Sequence, residues 1–193
     1  MEPLRLPAVV DLRNDQFFEF CQLNRDWQIE RTAEGDILIM APAGGETGSR
    51  SAELITQLRA WAKCDKTGVA FDSSTGFELP NGATRSPDAA WVRKTRLRTL
   101  TAEQKRKFLP LCPDFVVELL SPSDRLSTAQ KKMREYLENG AHLGWLLDPN
   151  NRLVYICRPR MRVRRLKDPK TLCGDPVLPG FSLYVGEIWE TGF

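Results

Sequence analysis

Two stretches of this sequence decide the fold: residues 86–92 read SPDAAWV, and residues 113–124 read PDFVVELLSPSD. Asp88 opens the first apolar run, and Glu118 stands inside the second. Short runs rich in Val, Phe and Trp and bounded by Pro and Ser predict two β-strands, over residues 88–92 and 114–120. A carboxylate is costly to bury without a partner. The two acids therefore predict a site as well as two strands.

Glu118 is stronger evidence for a functional site than Asp88. Taken alone, Asp88 is most simply a cap on the turn before its strand. Glu118 follows Val117 and precedes Leu119 in a run that predicts a strand buried on both faces. An acid there needs a cation or a strong hydrogen-bond donor, and the alternative is an ion pair with a buried arginine. Two carboxylates on neighbouring strands can hold a hard divalent cation, so we expect both to face one cleft.

A lysine follows on the next predicted helix, residues 126–139. The packing face of this helix is made of Ala129, Met133, Tyr136 and Leu137. At about 100° per residue, Lys132 lies roughly 80° from the centre of that face, and Lys131 lies on roughly the opposite side. Lys132 can therefore border the core and reach inward, although its stem could also simply cover apolar surface. A lysine beside a divalent cation suggests hydrolysis of a phosphodiester.

The remaining pattern mixes strands and helices along the chain. Further helices are predicted over 14–24, 47–63 and 101–108, and hairpins over 27–40 and 152–166. A strand is predicted over 143–147 after the helix that carries Lys132. This order predicts a single α/β (α+β) domain over residues 1–193, with a mixed sheet flanked by helices.

Composition excludes several classes of protein. The 193 residues are 41% hydrophobic and 27% charged, unlike a disordered or membrane protein, and a net charge of +3 does not by itself indicate nucleic-acid binding. The N-terminus shows no secretion signal, so we expect a cytoplasmic protein that contacts no membrane. The five scattered cysteines include no C-x-x-C pair, and the single histidine is His142, so zinc is not expected. We interpret His142 as a turn residue rather than a catalytic one.

The motifs together resemble the Uma family, restriction-endonuclease-like proteins of the PD-(D/E)XK nuclease superfamily that are abundant in cyanobacteria. The resemblance extends from about Phe17 to Trp189. It rests on SPD at 86–88, PDFVVELLSPS at 113–123, K-x-x-x-Y at 132–136, NG at 139–140 and GWLLDP at 144–149. MAP at 40–42, FDSSTGF at 71–77 and LPGF at 178–181 also agree. The resemblance implies a restriction-endonuclease-like core, here with hairpin additions at both ends.

The resemblance also implies a Mg²⁺ or Mn²⁺ site made by Asp88 and Glu118, to which we add the backbone carbonyl of Leu119. The superfamily's lysine normally sits two residues after the acid, where this chain has Leu120, so we assign the lysine role to Lys132. Many Uma sequences have a histidine before the first long helix, where this chain has Glu46 and Thr47. Glu46 is our candidate for an auxiliary acid, although it could equally be a surface acid near a helix N-terminus.

A basic segment, RPRMRVRRLK, occupies residues 158–167. Strand alternation would put Arg160, Arg162 and Arg164 on one face, where they could bind a nucleic-acid backbone. The alternative is a solvated hairpin whose charge protects a sheet edge.

We expect a metal-dependent nuclease that acts on nucleic acid, with DNA as the expected substrate. Two other hypotheses remain open: an inactive nuclease core that binds nucleic acid or regulates a partner, and a structural module whose acids are only ion-paired. A homodimer is a candidate assembly, since nucleases that cut both strands are often dimers.

Overall fold

The computed structural model of the chain describes residues 14–192. Its helices are α1 (Asn14–Leu23), α2 (Gly45–Asp65), α3 (Lys94–Arg98), α4 (Leu126–Glu138) and α5 (Gly186–Trp189). Its strands are β1 (Gln28–Arg31), β2 (Ile37–Met40), β3 (Gly68–Asp72), β4 (Phe77–Glu78), β5 (Thr84–Arg85), β6 (Ala89–Arg93), β7 (Phe115–Leu119), β8 (Leu143–Asp148), β9 (Leu153–Cys157), β10 (Arg164–Lys167), β11 (Thr171–Cys173) and β12 (Ser182–Tyr184). No helix within residues 14–192 is both long and apolar enough to span a membrane.

The central sheet has six strands in the order β10-β9-β8-β7-β6-β3. The β7 and β8 strands are parallel and are joined through α4, whereas every other neighbouring pair in this sheet is antiparallel. The β6 and β7 strands pair from Trp91 with Phe115 to Ala89 with Val117. The two strands predicted around the acids are therefore neighbours, as expected.

Helices cover both faces of this sheet. Leu54 and Leu58 of α2 pack on one face, with Trp91 and Trp145. Met133 and Tyr136 of α4 pack on the other face, with residues that include Val116. The sequence prediction of a mixed sheet flanked by helices is confirmed.

The contact between α4 and the sheet is close because β8 offers a glycine to the helix. A Cβ atom added to Gly144 would lie 2.0 Å from Sδ of the buried Met133. Hard-sphere contact excludes any larger residue at 144 unless Met133 moves. Gly144 thereby allows α4 to approach β8 closely at Met133, and this approach sets the position of Lys132, the residue before Met133.

A second sheet has four strands in the order β2-β1-β5-β4 and contains the N-terminal hairpin. The register of Arg31 with Thr84 joins this hairpin to the strand just before Asp88. The expected C-terminal hairpin forms from β9 and β10, and it adds two strands to one edge of the central sheet. The later strands β11 and β12 form a separate two-stranded sheet.

One predicted helix is wrong. Within residues 101–108 the structure has only a 3₁₀ turn, Gln104–Arg106. Thr101 and Gln104 do exchange the expected capping hydrogen bonds, of 2.9 and 3.1 Å. The side chains from Thr101 to Arg106 are exposed, so no buried face extends the helix beyond its first turn.

Candidate active site

The β6 and β7 strands bring Asp88 and Glu118 to one face of the central sheet. The recorded pairing ends at Ala89 with Val117, and extending this register by one residue places Asp88 opposite Glu118. Successive side chains of a strand alternate between faces, and both neighbours of Glu118 pack on the α2 side. Glu118 therefore faces α4. Asp88 faces the same way, because directly opposed residues of an antiparallel pair share a face.

Asp88 is fixed by the backbone of the neighbouring strand. The N–H of Leu119 donates to Oδ2 of Asp88 at 2.6 Å. The N–H and C=O of one strand residue point to the same neighbour, so the carbonyl of Leu119 also lies on the Asp88 side of β7. Oδ1 of Asp88 accepts no hydrogen bond from any residue between 14 and 192.

Burial raises the pKa of Asp88 above its ordinary value. The Leu119 hydrogen bond and the charge of Lys132 oppose this rise, whereas the negative charges of Glu30 and Asp124 add to it. A carboxylate in this position gains from any cation that approaches its free oxygen.

Lys132 reaches into the site from α4. Its Nζ lies 3.0 Å from Oε1 and 3.1 Å from Oε2 of Glu118, and 2.9 Å from Oε1 of Glu30. Burial opposes the charge of Lys132, but Glu118 and Glu30 outweigh it and raise the pKa of the ammonium. The side chain of Lys131 is exposed and makes no ion pair or hydrogen bond with another residue of the described chain. The two lysines thus lie on the sides of α4 that the helical period predicted.

Tyr136 completes the surroundings of Glu118. It lies one turn after Lys132 on α4, and its hydroxyl donates to Oε1 of Glu118 at 3.0 Å. Burial, followed by the negative charges of Glu118 and Glu30, raises the pKa of Tyr136 well above its ordinary value. The phenol therefore remains a hydrogen-bond donor at neutral pH.

The carboxyl of Glu118 has a strongly raised pKa. Burial raises its pKa to about 7, the charge of Lys132 opposes the rise, and the negative charges of Asp88 and Glu30 add to it. Nζ of Lys132 thus lies between the carboxylates of Glu118 and Glu30, and the negative charge of Asp88 acts on it as well. Arg85 also neutralises Glu30, whereas Asp88 has no ion pair among the described residues, so a further positive charge would be favourable beside Asp88 and Glu118.

Glu30 is a site residue that sequence reasoning missed. It lies on β1, is 2% exposed, and its Oε1 accepts from Nζ of Lys132 and from the N–H of Ser86, both at 2.9 Å. Its Oε2 accepts from Nη1 of Arg85 at 3.2 Å. Arg85 is held in turn by Glu135, whose Oε2 lies 2.6 Å from Nε of Arg85. The N-terminal hairpin is therefore connected to the site through a buried chain of charges.

Little in the sequence indicated that Glu30 would be buried against Arg85 and Lys132. Strand alternation within β1 predicts Glu30 on the solvent side, because Ile29 is apolar. The burial comes from Arg85 and Lys132, which follow Glu30 by 55 and 102 residues. The only local signal is an acid beside a basic residue, Arg31, in an apolar hairpin.

Glu46, the predicted auxiliary acid, lies away from Asp88 and Glu118. It is exposed and pairs with Arg50 at 3.1 Å, at the start of the helix that covers the opposite face of the sheet.

The predicted row of arginines also lies away from Asp88 and Glu118. Arg160 and Arg162 lie in the loop between β9 and β10, so the expected strand face of arginines does not form. This loop leaves β9 at Cys157, which is level with Val116 near the start of β7. Glu118 lies near the other end of that strand.

Arg164 does lie in a strand, but it is on the face of the sheet opposite to the one that Asp88 and Glu118 share. It pairs with Ile156 on the α2 side of the sheet, whereas Arg165 pairs with Tyr155 on the α4 side. Glu118, Leu146, Tyr155 and Arg165 form one row across four strands. Three strand spacings separate Glu118 from Arg165, about 14 Å.

The donor atoms present suit a hard divalent cation. Asp88 and Glu118 supply carboxylate oxygens, and Leu119 supplies a carbonyl on the same side, which are the ligands that Mg²⁺ prefers. No group of three or more His, Cys, Asp or Glu side chains between residues 14 and 192 is arranged to hold a metal ion. The protein ligand set available is thus small, as is common for Mg²⁺, which keeps several of its waters.

Comparisons with known proteins agree with this fold. The family model Uma2, described as "Putative restriction endonuclease", matches residues 14–186. Among solved structures, the chain resembles the crystal structure of a "putative nuclease belonging to DUF820" from Anabaena variabilis. The TM-score is 0.71 at 20% identity, over 84% of this chain and 90% of the other. No curated protein matches the sequence.

Proposed function

Because the chain belongs to the Uma2 family, described as "Putative restriction endonuclease", we propose that it is a metal-dependent endonuclease that hydrolyses phosphodiester bonds of DNA. The observation that carries the proposal is the convergence of three side chains. Asp88 and Glu118 share one face of adjacent strands, and Nζ of Lys132 lies within 3.1 Å of both oxygens of Glu118. Two acids and a lysine are the groups needed to bind a cation and a phosphate together.

Asp88, Glu118 and the carbonyl of Leu119 would hold Mg²⁺ or Mn²⁺. When bound, the cation would polarise the scissile phosphate and lower the pKa of an attacking water. The chain itself contributes orientation. The Leu119 N–H binds Oδ2 of Asp88, no residue between 14 and 192 donates to Oδ1, and the Tyr136 hydroxyl donates to Oε1 of Glu118.

Lys132 provides the positive charge for the reacting phosphate. Its ammonium group has three donors, and the carboxylates of Glu30 and Glu118 occupy its surroundings in this structure. With a cation on the oxygens of Glu118, donors of Lys132 would become available to the phosphate or to the attacking water. Stabilising the charge that develops in the transition state is the role we assign to it.

Further phosphate contacts lie outside the acid pair, and we assign one of them to Arg165. It is exposed, lies in the same row as Glu118 and faces the same side of the sheet. Arg160, Arg162 and Arg164 remain weaker candidates, because the first two lie in a loop at the other end of the sheet and the third faces away. Exposed arginines bind backbone phosphates without regard to base sequence.

The test is cleavage of nucleic acid by the purified protein. Supercoiled plasmid, linear duplex, single-stranded DNA and RNA are each incubated with Mg²⁺, with Mn²⁺ and with EDTA. The proposal expects cleavage of DNA with either cation, none with EDTA, and none by Asp88→Asn. Cleavage that persists equally in Asp88→Asn, or in EDTA, contradicts it.

A second candidate function is a nucleic-acid-binding protein on an inactive nuclease core. The observation that favours it is that Lys132 contacts both oxygens of Glu118, which are the oxygens that a cation would need. It predicts salt-dependent binding of DNA. It also predicts no cleavage with any cation and an unchanged affinity in Asp88→Asn.

A further inference from the structure

The two carboxylates that hold Lys132 differ in how firmly they are held themselves. Glu30 is 2% exposed, and both of its oxygens are occupied by groups other than Lys132: the N–H of Ser86 binds Oε1 and Arg85 binds Oε2. Glu118 is 12% exposed, and apart from Lys132 only Tyr136 among the described residues donates to it. Rotation of the Glu30 carboxylate would break two buried hydrogen bonds, so it is the fixed member of the pair.

The surroundings make Glu30 more rigid still. Arg85 bridges Glu30 and Glu135, at 3.2 and 2.6 Å, and Glu135 also accepts from Asn81 at 3.0 Å. Asn81 lies in the turn before β5, and its backbone N–H donates to Asn139 at the end of α4. The same helix that carries Lys132 is therefore tied to the strand pair that carries Glu30. A lysine has four rotatable side-chain bonds, so a fixed acceptor at its tip greatly restricts the ammonium.

From this asymmetry we infer that Glu30 is a positioning residue, which fixes the ammonium of Lys132 in the site independently of Glu118. The inference rests on the proposed function, in which Glu118 gives its oxygens to a cation. If Glu118 alone held Lys132, cation binding would release the lysine. With Glu30 as the fixed acceptor, Lys132 stays beside the reacting phosphate while its contact with Glu118 is exchanged.

The test follows the ammonium of Lys132 by NMR in the metal-free full chain. Ammonium hydrogens exchange quickly with water unless buried acceptors protect them, so a ¹H–¹⁵N signal from Nζ reports a held lysine. Lys132→Arg assigns the signal by its disappearance. We expect the signal in the wild type and in Glu118→Gln, and its loss in Glu30→Gln. Glu138→Gln is the matched control, because it removes an exposed acid of the same helix that lies outside this network, and it should keep the signal.

A second variant covers the case in which Glu30→Gln does not fold. Glu30→Asp keeps the charge beside Arg85 but withdraws the acceptor by one methylene group, and it should also lose the signal. A signal that survives in Glu30→Asp or Glu30→Gln, or one that disappears in Glu118→Gln, overturns the inference.

Kinetics give a separate readout. At saturating Mg²⁺, Glu30→Gln should lower the single-turnover rate by roughly 10²-fold with little change in KM, the scale of a misplaced catalytic group. The double variant Glu30→Gln with Lys132→Ala should cleave no more slowly than Lys132→Ala alone. If the losses of the two single variants add, the inference is contradicted. If the wild type cleaves no substrate, the proposed function fails, and the ammonium signals still decide the role of Glu30.

Discussion

Nζ of Lys132 on α4 lies 3.0 Å from Oε1 of Glu118 on β7, although the two residues are 14 positions apart in the sequence. The position two residues after Glu118, just past the end of β7, is occupied by Leu120, which belongs to the same buried apolar cluster as Met133 and Tyr136 of α4. In the proposed function, α4 therefore carries the lysine that the resemblance places on the strand. The geometry of the site consequently depends on how α4 packs on the sheet.

We predict that Lys132 and not Lys131 serves the chemistry. Lys132→Ala should lower the single-turnover rate of cleavage at saturating Mg²⁺ by roughly 10²-fold or more, the scale of losing one charge-stabilising donor. The exposed neighbour Lys131 is the matched control, and Lys131→Ala should leave the rate nearly unchanged. Equal losses in both variants, or a loss only in Lys131→Ala, would show that the lysine role lies elsewhere.

The acid pair predicts a response of stability to metal. Mg²⁺ or Mn²⁺ should raise the melting temperature, because a ligand that binds only the folded state adds about 2.7 kcal/mol at a hundredfold excess over its Kd. Asp88→Ala and Glu118→Ala should each abolish the increase, measured by calorimetry. Glu46→Ala is the control and should retain it, since Glu46 pairs with Arg50 away from the site. The same response in the wild type and in both site variants would exclude this pair as the metal site.

The raised pKa of Glu118 predicts a pH dependence of stability without metal. Its value of about 7 in the folded protein lies above the ordinary 4.5, so the folded state holds a proton that the unfolded state has lost between these pH values. The contribution of Glu118 to the free energy of unfolding is therefore full below pH 4.5. It falls as pH rises to 7, by at most about 1.4 kcal/mol per pH unit.

Denaturant titrations of Glu118→Gln test this sign. The neutral amide cannot ionise, so its stability relative to the wild type should rise between pH 5 and pH 7. Glu30 acts in the opposite direction, because Lys132 and Arg85 outweigh burial and lower its pKa, and its contribution is lost only at acid pH. A stability difference between Glu118→Gln and wild type that is constant across this range contradicts the assignment.

The sheet register predicts which arginine contacts the nucleic-acid backbone. Arg165→Ala should weaken DNA binding in EDTA and lower the salt slope by roughly 1, the loss of one phosphate contact. Arg164→Ala changes the same charge on the opposite face of β10 and should have a smaller effect. A larger effect of Arg164→Ala would place the nucleic acid on the α2 side of the sheet. A larger effect of Arg160→Ala or Arg162→Ala would place it at the loop between β9 and β10.

The sequence predicted those parts of the site that depend on local pattern. The strands around Asp88 and Glu118 are marked by apolar runs, and the inward direction of Lys132 follows from the 3.6-residue period of its helix. These features arise within a few residues of chain, and the structure has them as expected.

The parts that sequence reasoning missed depend on contacts between distant segments. Glu30 is buried only because Arg85 and Lys132 meet it from two other elements. Arg160 and Arg162 were expected in one strand with Arg164, but β10 begins only at Arg164, so the first two lie in the loop before it. The position of Glu46 similarly depends on which face of the sheet α2 covers.

The most direct measurement of the central claim is an anomalous difference map from crystals soaked in Mn²⁺. The account predicts a peak at coordination distance, roughly 2.0–2.3 Å, from carboxylate oxygens of Asp88 and Glu118, with Nζ of Lys132 moved from Glu118 but still on Glu30. The claim would be contradicted by a soaked crystal in which Lys132 still contacts both oxygens of Glu118 and no peak lies near Asp88 and Glu118. A peak held by other acids of the chain and not by Asp88 and Glu118 would also contradict it.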